Sequence, residues 1–375
     1  MSPVAGLRCF RCGKGYPASL SAGLCPACGP GDGSDPGVLD VVYDGITGDI
    51  VNHRHPGIFR YRALLPVAVP GTIPPTGGTP LLSAPRLAAG LGLSALYLKD
   101  ERRSATQCLK DRATAIAITL AELHGQTHLY CASAGNAAIS LAGYCAHAGL
   151  KAHVFVPFDA SPVRLEWLRR FGADVIVSHG NYDQSFAESE KLGADAGWYS
   201  RNCAYNPYLV EGKKTVAFEI AEHLDWTAPD WIVAPVGDGC TLAAIGKGFR
   251  QLYELGRISA LPRLLGVQAE GMKPMVRRHR GEAGEDSGRT GAASIKVRSP
   301  RNALRLMSEM RLTGGTMVAA SDEAIGEAQR MLAEDCGVVA EFTSAATIAA
   351  LAILGETEEL AGRTAVAVIT GGRVD

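Results

Sequence analysis

The stretch Gln107-Cys108-Leu109-Lys110-Asp111-Arg112 decides how this chain is read. Before it, Leu93 to Lys99 is rich in strand-forming residues and predicts a β-strand. A polar turn spans Asp100 to Thr106. From Asp111 to His124 the residues Ile116, Leu120 and Leu123 recur at helical spacing, with Gly125 placed as a C-cap. Lys110 therefore stands where a strand hands over to a helix, at the mouth of an α/β crevice. Taken by itself, a lysine in a first helical turn is most often simply solvated. A lysine desolvated or placed near other cations can form a Schiff base instead.

Working outward, strands and helices alternate from residue 93 onward. Strands are predicted at Leu93–Lys99, Thr127–Ser133, Lys151–Pro157, Ala173–His179, Trp231–Val236, Arg263–Ala269, Thr316–Ser321 and Thr364–Thr370. Helices fill the gaps, one of them marked by Ser161 as N-cap, Pro162 at the first helical position and Gly172 beyond the end. This is an α/β pattern with mostly parallel sheets. Residues 277–292, charged and glycine-rich, interrupt it and read as a mobile surface loop. Residues 29–80, rich in Gly and Pro, read as an arm laid over the main body.

Three turns at strand ends carry candidate binding groups. Gly237-Asp238-Gly239-Cys240-Thr241 precedes a helix expected from Leu242; backbone N–H groups at such a helix start suit a phosphate. The Walker spacing is absent, and a lone GxG also serves as a tight turn. Ser133-Ala134-Gly135-Asn136 offers a hydroxyl, backbone donors and an amide, apt for a carboxylate, or else an ordinary cap. Thr370-Gly371-Gly372 closes the last strand. One lysine with a phosphate cradle, a carboxylate cradle and a hydroxyl is the set that pyridoxal phosphate needs.

The N-terminus is different. Cys9-Phe10-Arg11-Cys12 and Cys25-Pro26-Ala27-Cys28 are two CxxC pairs separated by twelve residues. Four thiolates make a closed tetrahedral site, a structural zinc ribbon. A redox role is less apt because no βαβ unit surrounds either pair, and few basic residues (Arg8, Arg11, Lys14) support nucleic-acid binding. The chain has 375 residues, 47% hydrophobic and 20% charged, with a formal net charge of −1. That composition is ordinary for a globular protein of two or three domains and draws it to neither nucleic acid nor a membrane surface. No apolar run reaches membrane-spanning length, and Met1 to Phe10 has no leader pattern. The six cysteines outside the pairs are scattered, which fits a reducing cytoplasm.

With these residues in view, the chain resembles the threonine-synthase family of fold-type-II pyridoxal-phosphate enzymes. The matching stretches are Leu7-Arg8-Cys9-Phe10-Arg11-Cys12-Gly13, Tyr61-Arg62-Ala63-Leu64-Leu65-Pro66, Gly78-Thr79-Pro80-Leu81 and Leu98-Lys99-Asp100-Glu101, then Asn206-Pro207-Tyr208, Glu211-Gly212-Lys213-Lys214-Thr215, Gly266-Val267-Gln268-Ala269-Glu270-Gly271 and Thr370-Gly371. The resemblance implies two open, mostly parallel sheets flanked by helices, with the zinc ribbon in front. It implies that Lys110 holds pyridoxal 5′-phosphate as a Schiff base and moves protons. Asn136 would bond the 3′-oxygen, Gly237, Asp238, Gly239, Cys240 and Thr241 the phosphate, and Thr370 the ring nitrogen. Ser133, Ala134, Gly135, Asn136 and Asn202 would hold the substrate. Zinc on Cys9, Cys12, Cys25 and Cys28 would be structural.

The chain also departs from the family pattern. Ser104-Ala105-Thr106-Gln107-Cys108-Leu109 replaces the usual Asn-Pro-Thr-Gly-Ser-Phe before the lysine, and Gly237-Asp238-Gly239-Cys240-Thr241 replaces Gly-Asn-Gly-Gly-Asn. Glu341-Phe342-Thr343-Ser344 replaces Glu-Pro-Ala-Ser. An aspartate beside a phosphate is unfavourable unless it turns away or meets a cation. After Asn206-Pro207-Tyr208, Leu209 stands where the family often has an arginine that clasps the substrate phosphate, with Arg112 or Lys213 as substitutes. The expectation is a cytoplasmic lyase of amino-acid biosynthesis that removes a leaving group and adds water or another nucleophile. Elimination or replacement on an O-activated serine is the alternative chemistry; a ribbon-based binding module and a catalytically silent paralogue are the non-enzymatic ones. The expected domains are 1–55 (ribbon and arm), 56–120 with 226–375 (large, cofactor-binding) and 121–225 (small, mobile). The expected partners are an amino-acid substrate and a second copy of the chain, without nucleic acid or membrane.

Overall fold

Alternating apolar residues build the central sheet. In the strand Thr364–Ile369, Val366 and Val368 face one apolar cluster while Ala365, Ala367 and Ile369 face another. Both faces are therefore buried, as parallel sheets require. In this computed structural model, which describes residues 4–20, 23–31, 35–46, 48–357 and 360–372, that strand is an inner member of a six-stranded sheet. Met1 to Pro3, part of the start judged above for a leader, lie outside the described residues. The strand order is Thr316–Ala320, Arg263–Ala269, Trp231–Pro235, Thr364–Ile369, Ala95–Asp100, Leu81–Ser83, parallel throughout except at the last edge. A second sheet, wholly parallel, runs Asp174–Val177, Lys151–Val156, His128–Ala132, Tyr199–Ser200. A third, antiparallel, joins Gly15–Tyr16, Val4–Cys9 and Leu39–Tyr43 around the cysteine pairs.

All eight predicted strands are present, with ends shifted by two residues at most. The short edge strands Leu81–Ser83 and Tyr199–Ser200, and those of the N-terminal sheet, lacked the apolar run that makes a strand legible. Two other expectations need correcting. Residues 277–292 begin inside the helix Pro274–Arg280, and the segment beyond that helix is tied back to the body. Arg277 pairs with Asp286, whose carboxylate also accepts from Lys273 N at 3.0 Å, and Thr290 Oγ1 donates to Asp322 at 2.6 Å. The helix Pro162–Arg170 starts after Ser161 as expected, but the Ser161 hydroxyl makes no capping bond.

The helix Tyr208–His223 is the hub. Gly212 lies against the helix Lys110–Leu123 so closely that a Cβ there would sit 2.0 Å from the Arg112 carbonyl oxygen. On its other side Gly248, in the helix Cys240–Glu254, meets the Lys214 carbonyl in the same way, at 2.5 Å. Two glycines thus allow three helices to touch backbone to backbone. Val216, Phe218 and Ile220 of the hub helix share the apolar cluster on one face of the six-stranded sheet.

Candidate active site

Lys110 is the first residue of its helix, one position earlier than periodicity indicated. The loop before it is laid along the end of the inner strand Thr364–Ile369. Leu109 N donates to the Thr370 carbonyl at 2.9 Å, Cys108 bridges Gly371, and Gly372 N donates to Gln107 O at 3.3 Å. Gln107 takes φ 60° to make this turn. Behind the lysine, Arg112 is fully buried. Its Nε donates to Glu101 Oε2 at 2.7 Å, and its terminal nitrogens reach Glu219 at 2.8 and 2.7 Å. Lys99 Nζ completes the cluster, 2.7 Å from Glu219 and 2.6 Å from the Thr79 carbonyl. Burial alone would raise Glu219, but Arg112 and Lys99 hold its carboxyl well below the usual carboxylate range. The stretches at 78–81 and 98–101 are thereby drawn together behind Lys110; from 211–215 Thr215 joins them, accepting from Arg112 at 2.8 Å, while Lys213 lines the cavity.

In front of Lys110 opens a cavity of about 870 Å³. Its wall is formed at the carboxyl ends of parallel strands from both large sheets, where open α/β folds bind ligands. Lys110, Ser133, Ala134, Gly135, Asn136, Asn202, Gly237, Asp238, Gly239, Cys240, Thr241 and Thr370 all line it. Burial, then the positive charge of Lys213, pushes the Lys110 amine down to about 8.

The cradle helix begins at Cys240, two residues before the expected start, with Gly239 at φ 92° as an N-cap that has no side-chain bond. A Cβ on Gly239 would come within 3.1 Å of the Asn302 carbonyl oxygen. The first N–H groups of this 15-residue helix have no side-chain cap, as an anion site requires. The helix Asn136–Ala148 starts likewise, from Gly135 without a side-chain cap; the Ser133 hydroxyl accepts from Gly135 N at 3.0 Å and tightens the turn. Asn136 Nδ2 donates to Glu341 Oε2 at 2.8 Å. Burial raises Glu341 above its ordinary value, against the opposing effects of that amide and of Lys110. The Thr370 hydroxyl meets Ser344 Oγ at 3.0 Å. Asn202 spends its amide on the scaffold, accepting from Ala132 N at 2.8 Å and donating to Ser189 Oγ and Glu190 Oε1 at 2.9 and 2.7 Å.

Sequence reasoning passed over Arg164, whose Nη1 lies 3.4 Å from where a Cβ on Gly135 would be, and Arg201, which donates to the Lys110 carbonyl at 3.1 Å. Neither belongs to a motif or a recognisable turn. At the far end of the chain, Cys9, Cys12, Cys25 and Cys28 place their sulfurs within 4.8 Å of one another, a group that could hold a metal ion.

The pyridoxal-phosphate-dependent enzyme family model matches residues 73–371. The threonine synthase of Methanosarcina acetivorans is 36% identical over 379 residues, covering 98% of this chain and 91% of that protein. The threonine synthase of Mycobacterium tuberculosis is 37% identical over 324 residues, covering 84% and 88%. This chain belongs to the pyridoxal-phosphate-dependent enzymes. Among solved structures, maize serine racemase superposes with a TM-score of 0.68 at 20% identity, covering 79% of this chain and 88% of that one. The processed form of threonine deaminase isoform 2 from Solanum lycopersicum gives 0.66 at 22% identity, covering 83% and 96%. The fold of the pyridoxal-phosphate-dependent family therefore extends over both large sheets.

Two of the departures from the threonine-synthase pattern take on a different meaning in the structure. Asp238 does meet a cation: its carboxylate accepts from Arg301 N and Nη1 at 3.1 and 3.4 Å, while Arg301 also pairs with Asp183 at 2.6 Å. Leu209 is fully buried, in the apolar cluster that includes Ala113, Ile116 and Tyr144. It is absent from the cavity wall. The lack of an arginine at this position therefore removes no charge from the cavity of this chain. Of the two proposed substitutes, Arg112 is consumed by its carboxylates and Lys213 lines the cavity.

Proposed function

We propose that this enzyme binds pyridoxal 5′-phosphate through Lys110 and converts O-phosphohomoserine to threonine. The observation that carries the reading is the convergence of a lysine of lowered pKa, two uncapped helix starts and the Thr370 hydroxyl on one cavity of about 870 Å³. That volume holds the cofactor together with an amino acid. Gly237 to Thr241 take the phosphate, Asn136 the 3′-oxygen and Thr370 the ring nitrogen. Ser133 to Asn136 receive the substrate α-carboxylate, with Arg164 beside them to hold a second anion.

When bound, the cofactor supplies an electron sink that acidifies the substrate's α-hydrogen. The work of this chain is orientation and proton movement. Once the substrate amine has taken its place, the freed Lys110 amine accepts the α-proton, and its lowered pKa suits it to do so near neutral pH. Lys110 then serves the β-carbon, phosphate departs from Cγ, and water adds at Cβ. Closure of the part built on the four-stranded sheet over the part built on the six-stranded sheet excludes bulk water. Because the helix Tyr208–His223 shares the core of the six-stranded sheet, we assign the moving part to about residues 128–200 of the expected 121–225.

We assign zinc to the ribbon. A tetrahedron of thiolates at about 2.3 Å from the metal has edges of about 3.8 Å. Cys9 and Cys28 are 3.9 Å apart at sulfur, and Cys12 and Cys25 are 3.8 Å apart.

Borohydride reduction of the holoenzyme, followed by peptide mapping, should label Lys110. A label on Lys99, Lys213 or Lys214 refutes the assignment. Steady-state kinetics should then show threonine and phosphate from O-phosphohomoserine. Turnover of O-phosphoserine or O-acetylserine in its place would move the reaction to β-elimination or β-replacement.

A further inference from the structure

Four lysines are buried among the described residues: Lys99, Lys213, Lys214 and Lys247. Three sit against carboxylates, Lys99 on Glu219, Lys214 on Glu211, and Lys247 on Glu211 and Asp40. Lys213, 3% exposed, has no carboxylate within ion-pair distance among the described residues, and it lines the cavity. An ammonium withdrawn from water without a counter-charge is strongly unfavourable unless a ligand supplies one.

Its neighbours show where that ligand's charge would lie. The two glycine contacts wedge the helix carrying Lys213 between the helix that begins at Lys110 and the helix that begins at Cys240. Lys213 lies beside the thiol of Cys203, which its contact with Cys240 and then the Lys213 charge hold well below the usual thiol range. The sole anionic character beside Lys213 among the described residues is thus a thiol shared with Cys240. Cys240 also reaches the Cys203 carbonyl at 3.6 Å. Lys213 therefore points to the start of the cradle helix. Other cations nearby are engaged elsewhere or peripheral. Arg301 is paired with Asp183 and Asp238, Arg201 donates to Thr114 and the Lys110 carbonyl, and Lys296 and Arg298 are exposed at the rim. The cradle turn itself contributes an acid, Asp238, and no base.

We infer that Lys213 is the counter-ion of the cofactor's 5′-phosphate, so that the charge neutralising the dianion comes from the neighbouring helix and not from the glycine turn. This rests on the proposal that the cavity takes pyridoxal phosphate at Lys110. A charge-assisted contact of this kind adds to the backbone donors of the helix start, which carry only partial charge.

The test is an equilibrium titration of apoprotein with pyridoxal 5′-phosphate and, separately, with pyridoxal, reading the absorbance of the Lys110-bound chromophore. Wild type, Lys213→Gln and Lys213→Arg are compared. Lys213→Gln should weaken pyridoxal 5′-phosphate by about ten- to a hundred-fold. Loss of the Lys213 charge also lets the Lys110 amine rise, an effect common to both ligands, so the inference is read from the ratio of the two affinities. Pyridoxal, which lacks the phosphate, should lose much less than pyridoxal 5′-phosphate, and Lys213→Arg should recover most of the loss. The pyridoxal titration also reports that the variant pocket is folded. Unchanged affinity for pyridoxal 5′-phosphate in Lys213→Gln, or an equal loss for both ligands, overturns the inference. Unchanged cofactor affinity with a raised KM for O-phosphohomoserine also overturns it and gives the charge to the substrate. Absence of a Lys110-bound chromophore in wild type would instead remove the underlying reading, and this inference with it.

Discussion

At the level of single residues, burial and then the Lys213 charge make the Lys110 amine easier to deprotonate than a free lysine. With a pKa of about 8 in place of 10.5, the neutral form is about a quarter of the population at pH 7.5, against roughly 0.1% for an exposed lysine. Only the neutral amine attacks an aldehyde, and it is the form populated above the pKa. The rate at which apoprotein is trapped by pyridoxal 5′-phosphate should therefore rise with pH through about 8 and level off well before 10, measured by stopped-flow absorbance. A rate still climbing tenfold per unit at pH 9.5 would contradict the lowered value. Leu209 yields the opposite kind of prediction. It is wholly enclosed by apolar side chains, so Leu209→Arg buries a charge with no partner. The variant should lose about 3 kcal/mol or more of stability in urea unfolding, with no gain in kcat/KM for O-phosphohomoserine. A stable variant with improved kinetics would restore this position to the substrate site.

Among elements, the contact between the helices Lys110–Leu123 and Tyr208–His223 sets the site. Their approach is limited by Gly212, where an added methyl would lie 2.0 Å from the Arg112 carbonyl oxygen. That carbonyl is backbone and cannot swing aside, so Gly212→Ala must force the two helices apart. A cost of about 1–3 kcal/mol is expected, with weakened cofactor binding because Lys110 and Lys213 ride on the separated helices. Thermal unfolding and the apoprotein titration measure both effects. An alanine variant equal to wild type in each would mean that the helices can part without disturbing the lysine. The buried cluster of Arg112, Lys99, Glu101 and Glu219 acts on the same pair of helices. It brings together stretches of sequence whose resemblance to the family was plain, but whose role is to brace the site from behind.

On the scale of the molecule, the N-terminal sheet is stitched to the catalytic body. Lys247 Nζ reaches Asp40 Oδ1 and the Val41 carbonyl at 2.7 Å each and Glu211 at 2.7 Å; Arg305 donates to the Leu39 carbonyl; and the Tyr208 hydroxyl donates to the Ser19 carbonyl at 3.0 Å. On the proposed assignment, zinc holds the knuckles and these contacts hold the strand Leu39–Tyr43. Chelation should therefore release one zinc per chain and raise hydrogen exchange around Cys9–Cys12 and Cys25–Cys28, while the cofactor absorbance persists. Loss of the cofactor in step with zinc would show that the ribbon is part of the active site's support. Elemental analysis showing no metal in protein purified without chelator would remove zinc from the account.

The alternation of strands and helices, the residues of the eight main strands, the lysine at a helix start and the two glycine turns were legible in the sequence. These are local properties, written in periodicity of two or 3.6 residues and in turn chemistry that neighbours within a few positions decide. The cysteine pairs were legible for the same reason, since each CxxC places two thiols within four positions of one another. The orientation of Leu209 into the core, the capture of Asp238 by Arg301 and the isolation of Lys213 from the carboxylates of the described residues were not. Each depends on which side chains meet across elements far apart in the chain. Lys213 and Lys214 are adjacent in sequence and alike in chemistry. Helix packing alone sends one to the cavity and the other to Glu211.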